Sequence, residues 1–167
     1  GELLFSCDYV QFANAGTYTI TASGLTSDNY EIIFNDGALT VNKVQLTITV
    51  EDQEITYGDV IPTYTVTYEG FVNNETKDVL GGALNFECDY EQFADAGEYI
   101  ISALGLTSDN YEITYIAGNL SVNQKEVTLA WENTTLTYNG QIQKPSVTFE
   151  GLVNGDTCDI EVEGAGK

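Results

Sequence analysis

The chain has 167 residues and carries 26 acidic side chains against 5 lysines, a formal charge of −21, with no arginine, histidine or methionine. Such a charge repels nucleic acid and anionic lipid, because the cationic groups that displace phosphate counterions are missing. Absence of histidine removes the commonest general base and neutral metal ligand. Yet 43% of the residues are hydrophobic and evenly spread, the composition of a folded protein rather than an acidic tail.

In chain order, the first shaped segment is Asn14-Ala15-Gly16-Thr17-Tyr18, with a twin at Asp95-Ala96-Gly97-Glu98-Tyr99. Both have the Asp-x-Gly-x-Tyr form found before strand F of immunoglobulin-like sandwiches, where the tyrosine hydroxyl bonds back to the corner backbone. Ile20 and Ile101 stand where such a sandwich places its cysteine, so no inter-sheet disulfide is expected. Next, Val44, Leu46, Ile48 and Val50 alternate with polar residues. Tyr64, Val66 and Tyr68 do the same, as do Tyr111, Ile113 and Tyr115, and then Leu120 and Val122. Period-two alternation in Val, Ile, Thr and Tyr reads as half-buried antiparallel strands. Turns are predicted at Tyr57-Gly58-Asp59, Val72-Asn73-Asn74, Ser108-Asp109-Asn110 and Ala117-Gly118-Asn119, and one short helical turn at Thr76 to Leu80. The fold expected is all-β: small immunoglobulin-like β-sandwich modules, with a β-grasp-like sheet as the alternative.

A repeat organises these elements. Cys7-Asp8-Tyr9 recurs as Cys88-Asp89-Tyr90, Leu25 to Ile32 as Leu106 to Ile113, and Val66 to Gly70 as Val147 to Gly151; 88 − 7, 106 − 25 and 147 − 66 all give 81. Tandem repetition builds length, valency or a binding surface, whereas a catalytic pocket is usually built once; no enzyme is expected. Cys7 and Cys88 are equivalent positions and are not expected to pair with each other, and Cys158 makes an odd third. All three read as unpaired thiols, two of them as small core hydrophobes.

Several motifs recur in one order: the Tyr57-Gly58-Asp59 turn (Tyr138-Asn139-Gly140 farther on), aromatic-Glu-Gly-x-Val-Asn at Tyr68 to Asn73 and Phe149 to Asn154, the Ala-Gly-x-Tyr corner, Gly-Leu-Thr-Ser-Asp-Asn-Tyr-Glu-Ile, and Gly-x-Leu-x-Val at Gly37 to Val41 and Gly118 to Val122. Together they resemble the MBG and YDG-type tandem repeats of large bacterial surface proteins with adhesin-like character. The resemblance implies an extracellular, cell-surface protein and transfers no catalytic residue. In its register, residues 44–124 form one module, 1–43 the C-terminal half of another and 125–167 the N-terminal half of a third. The alternative division is 1–81 and 82–167. On the first division the chain is a piece of a longer protein, with any export signal or wall anchor elsewhere. The two half-modules leave open edges that pairing between molecules would close, so self-association is expected.

Candidate chemistry is sparse. Asp28 and Glu31, repeated as Asp109 and Glu112, flank a tyrosine at a turn and offer oxygens to Ca²⁺, but no Asp-x-Asp-x-Asp-Gly loop accompanies them and a solvated turn is the preferred reading. The 11 tyrosines offer stacking faces for glycan, although most lie on the apolar strand faces. Lys43 and Lys125 sit at module junctions without a neighbouring acid to promote an isopeptide bond. Loop tips are the expected place for recognition, with Tyr90 and Asn110 as the expected binding residues. The expected role is a stalk or spacer of an adhesin-like protein, the alternative a module that binds carbohydrate or host matrix protein. No apolar run is long enough to cross a bilayer.

Overall fold

The computed structural model describes residues 1–159. Their elements are β1 (Leu4–Cys7), β2 (Gly16–Ser23), β3 (Gly37–Val41), β4 (Val44–Val50), β5 (Gln53–Thr56), β6 (Val66–Glu69), a 3₁₀ turn (Lys77–Val79), β7 (Gly81–Cys88), β8 (Gly97–Thr107), β9 (Tyr111–Ile116), β10 (Gly118–Asn123), β11 (Thr128–Glu132) and β12 (Ser146–Glu150). The architecture is all-β and sandwich-like, with sheets ordered β1-β2-β3, β6-β4-β9, β5-β10-β8-β7 and β11-β12.

The repeat is carried into the backbone. Left-handed residues recur 81 positions apart: Phe12 and Phe93 (φ 69° and 71°), Gly24 and Gly105 (92° and 99°), Gly70 and Gly151 (115° and 102°), Asn73 and Asn154 (55° and 56°). Both tyrosine corners form as expected: the Tyr18 hydroxyl donates to the carbonyl of Asn14, and that of Tyr99 to the carbonyl of Asp95 at 2.7 Å. The helical turn also forms, opened by Thr76, whose Oγ1 accepts from the Asp78 amide at 3.4 Å.

Two compact units divide the chain. The first takes residues 1–51, 65–87 and 102–117. In it, alternation along β4 sinks Leu46 and Ile48 to 0% exposure and Tyr111 of β9 to 2%. Val66 and Tyr68 of β6, Leu80, and Leu106 of β8 pack on this cluster. Each aliphatic side chain so buried stabilises the fold by roughly 1.5–3 kcal/mol. The second unit takes residues 52–64, 88–101 and the described chain from 118 on. There β10 pairs antiparallel with the first part of β8, Leu120 opposite Tyr99 and Gly118 opposite Ile101, and Ile101, Leu120 and Val122 are buried.

Three expectations need correction. Strand direction is mixed: β6 runs antiparallel to β4, but β9 runs parallel to β4 from Val44↔Tyr111 to Thr49↔Ile116, and β5 runs parallel to β10. Alternation fixes which face is buried and carries no information about the direction of a neighbour. Ala117 alone interrupts the chain between β9 and β10; Gly118 and Asn119 belong to β10. Finally, the three thiols are free as expected, but Cys7 and Cys158 are exposed and only Cys88 is half-buried.

Cys88 touches chemistry of its own. Burial, then a hydrogen bond with the Cys88 side chain, pushes the Tyr64 phenol up to about 12. Burial also raises Tyr68 and Tyr111. An ordinary phenol titrates near 10, so these groups favour the fold fully below that pH, and the contribution is lost as pH rises towards the folded values. Urea midpoints are expected to hold steady up to about pH 10 and to fall between about pH 10 and 12, with a shallower fall in Tyr64→Phe.

Candidate functional site

The expected loop-tip residues lie elsewhere than at free tips. Tyr90 is 4% exposed, its ring edge-on to Tyr99 at 5.0 Å, and its hydroxyl is buried without a hydrogen-bond partner. It is a packing residue, and a phenol left unsatisfied costs rather than adds stability. Asn110 is half-buried and held through all four of its polar atoms, its backbone amide donating to Ser108 Oγ at 3.1 Å. Its Oδ1 accepts from the Ala15 amide at 2.8 Å, its Nδ2 donates to Asn14 Oδ1 at 3.2 Å, and its carbonyl accepts from the Val44 amide at 2.9 Å. Asn14 Nδ2 donates to Asp109 at 3.1 Å and Lys43 Nζ to the Ser108 carbonyl at 2.7 Å. The Ser108-Asp109-Asn110 turn therefore joins one repeat to the corner of the previous one. Lys43 is engaged there with a carbonyl, not a carboxylate. Among the described residues no three Asp, Glu or Cys side chains group together as a metal site.

Each unit holds a crevice at equivalent positions. The first, of about 330 Å³, has Ala15, Val44, Val72 and Glu75 in its wall, together with Tyr9 and Phe12. The second, of about 300 Å³, has Ala96, Lys125, Val153 and Asp156 in its wall, each 81 residues on, together with Tyr57. A carboxylate anchors both. In the first, Glu75 Oε2 accepts from the Tyr111 hydroxyl at 2.5 Å, and the oxygen of that hydroxyl accepts from the Val72 amide at 3.1 Å. In the second, Asp156 Oδ2 accepts from the Tyr57 hydroxyl at 2.9 Å. The bond to Asp156, ahead of burial, raises the Tyr57 phenol, and the bond to Glu75 adds to burial in raising Tyr111. Both phenols thus stay protonated donors.

The Tyr57-Gly58-Asp59 turn is held for this contact. Asp59 Oδ2 accepts from the Thr56 amide at 3.0 Å, its carbonyl accepts from Gln92 Nε2 at 2.7 Å, and the Tyr57 amide donates to the Asn123 carbonyl at 2.8 Å. Gly58 has φ +91°, and a Cβ there would lie 2.8 Å from Val153 Cγ2. Tyr57 meets Phe93 edge-on at 6.4 Å. Phe93 itself is left-handed, a conformation costing about 1–3 kcal/mol for a bulky residue, and the ring so presented is the one Tyr57 packs on. Sequence reasoning passed over Glu75, Asp156 and Phe93. The 81-residue spacing of the two acids was the available signal.

No curated protein and no solved structure matches the chain. The family model of the MBG domain, YGX type, matches residues 2–40 and 46–121, with Tyr57-Gly58-Asp59 inside the second stretch. The chain therefore belongs to the MBG domain (YGX type) family, a family of structural repeat modules found in surface proteins.

Proposed function

We propose that the chain is a stalk or spacer segment of a bacterial cell-surface or secreted protein with adhesin-like character. Residues 44–124 are one module, and 1–43 and 125–167 belong to its neighbours, the last eight positions lying outside the described residues. The observation that carries this reading is a tie between repeats at each boundary: Asp109 and Asn110 bond to Asn14 and Ala15 of the previous repeat, and the Tyr57 hydroxyl bonds to Asp156 of the next. Only Asn42 and Lys43 separate β3 from β4, a connection without the Gly/Ser length of a loose linker. The acidic surface keeps such strings apart and soluble. Among the described residues no helix is long and apolar enough to cross a membrane.

Small-angle scattering on dilute chain tests the spacer. A compact globule of this length has a radius of gyration of roughly 15 Å. A clearly larger value is expected, and a value at about 15 Å rejects the reading. The second reading, recognition of a host glycan or matrix protein, draws on the first crevice, whose wall includes exposed Phe12 together with Gln11, Asn42 and Asn73. A glycan and matrix-protein array, with and without Ca²⁺, distinguishes the two: a reproducible hit lost in Phe12→Ala or Asn110→Ala makes it a binder.

A further inference from the structure

The middle repeat has chain on both sides of it, β3 before and β11 after, so tension along a stalk passes through its first and last strands. In the first unit the entering strand is β4 and the last is β9. These are hydrogen-bonded neighbours and run parallel, from Val44 opposite Tyr111 to Thr49 opposite Ile116. In the second unit β5 and β10 stand in the same relation, from Gln53 opposite Leu120 to Thr56 opposite Asn123. Antiparallel partners would bring the start of the earlier strand beside the end of the later one. Parallel partners put those two points at opposite ends of the pair.

We propose that each of these parallel pairs is a shear clamp, the element that resists force when the stalk is pulled. This rests on the stalk reading and adds the property a stalk needs under tension. Pulling Val44 towards the N-terminus and Ile116 towards the C-terminus acts along the strands and across their hydrogen bonds. All the bonds of the pair then share the force and yield in one displacement, so the barrier to forced unfolding, which the unfolding rate governs, is high. Pulled from one end, the same two strands part bond by bond. Because β9 is an edge strand of its sheet, with β4 as its neighbour there, this pairing is where that sheet divides.

Side chains hold both pairs in register. Leu46, Ile48 and Val50 of β4 are buried. Sliding β4 by one residue turns all three to the wrong face, and sliding by two moves each out of its packed place. At the start of this pair the Val44 amide donates to the Asn110 carbonyl at 2.9 Å, and the Gln45 side-chain amide donates to the Glu112 carboxylate. In the second unit Leu120 and Val122 are the buried positions. There the pairing is extended at both ends. The Asn119 amide donates to Asp52 Oδ1 at 2.8 Å, Asn123 Nδ2 to Glu54 Oε1 at 2.6 Å, and the Tyr57 amide to the Asn123 carbonyl at 2.8 Å.

The test is single-molecule force spectroscopy on the whole chain. The native thiols are removed as Cys7→Ser, Cys88→Ser and Cys158→Ser, and DNA handles are joined at two substituted positions. Asn42→Cys with Ala117→Cys pulls the β4–β9 pair from opposite ends; Asn42→Cys with Asp109→Cys pulls it from the same end. All three positions are exposed, so urea midpoints of the two chains are expected to agree, and stability then does not account for a difference in force. At one loading rate the first chain is expected to break at a force at least about twofold above that of the second. Equal forces overturn the clamp, as does a higher force in the second chain. Neither result alters the radius of gyration, so failure of the clamp and failure of the spacer are read separately.

Discussion

Ile48→Ala is expected to destabilise the protein by about 2–5 kcal/mol, the range for removing a fully buried aliphatic side chain and leaving a cavity. Ile48 is 0% exposed, in the centre of the Leu46, Ile48 and Tyr111 cluster with β6 and β9 on either side of its strand. The equivalent position in the next repeat is Leu129, 60% exposed, and Leu129→Ala is expected to stay within about 0.5 kcal/mol of the parent in dilute chain. Urea unfolding of both variants measures the contrast. The substitutions remove similar groups from equivalent strand positions, so a difference in cost reports the presence or absence of a covering strand. Equal large costs would mean that β11 is covered in solution even at dilution.

Gly58→Ala is the second large effect. A residue with a Cβ at φ +91° carries backbone strain of roughly 1–3 kcal/mol, and its Cβ would meet Val153 Cγ2 at 2.8 Å. Relief by shifting the turn would draw Tyr57 away from Asp156, so loss of that hydrogen bond is expected to add to the cost. Val153→Ala in the same chain removes the collision but not the strain. The double variant is expected to recover part of the loss, and a double-mutant cycle by urea unfolding gives the steric share. Gly140, with open space around it, is the comparison: it stands one position later in the equivalent turn, behind Asn139. Gly140→Ala is expected to show strain alone, because φ there is +76°.

Much of the fold was legible in the residues. Alternation along Val44 to Val50 and Tyr111 to Tyr115 named the buried faces, because a strand turns its side chains to opposite sides at every residue. The Ala-Gly-x-Tyr corners were legible because their geometry is local, a hydroxyl reaching a carbonyl four residues back. Parallel pairing of β4 with β9 was not, since it joins residues 67 positions apart, such as Gln45 and Glu112, and leaves no local mark. The candidate site was harder still. Tyr90 and Asn110 were chosen as loop residues next to turns, but the turn around Tyr90 folds its ring inward and the Asn110 amide is consumed by Asn14 and Ala15.

The sequence by itself determined the family, the all-β class and the 81-residue period, because each depends on composition or on short-range pattern. Tertiary structure decided which copy of a repeated residue is core and which is surface. Ile48 and Leu129, or Tyr111 and Tyr30, occupy the same place in the pattern and differ from 0% to 60% and from 2% to 78% in exposure. Burial is a property of what lies against a strand, and that depends on partners distant in the chain.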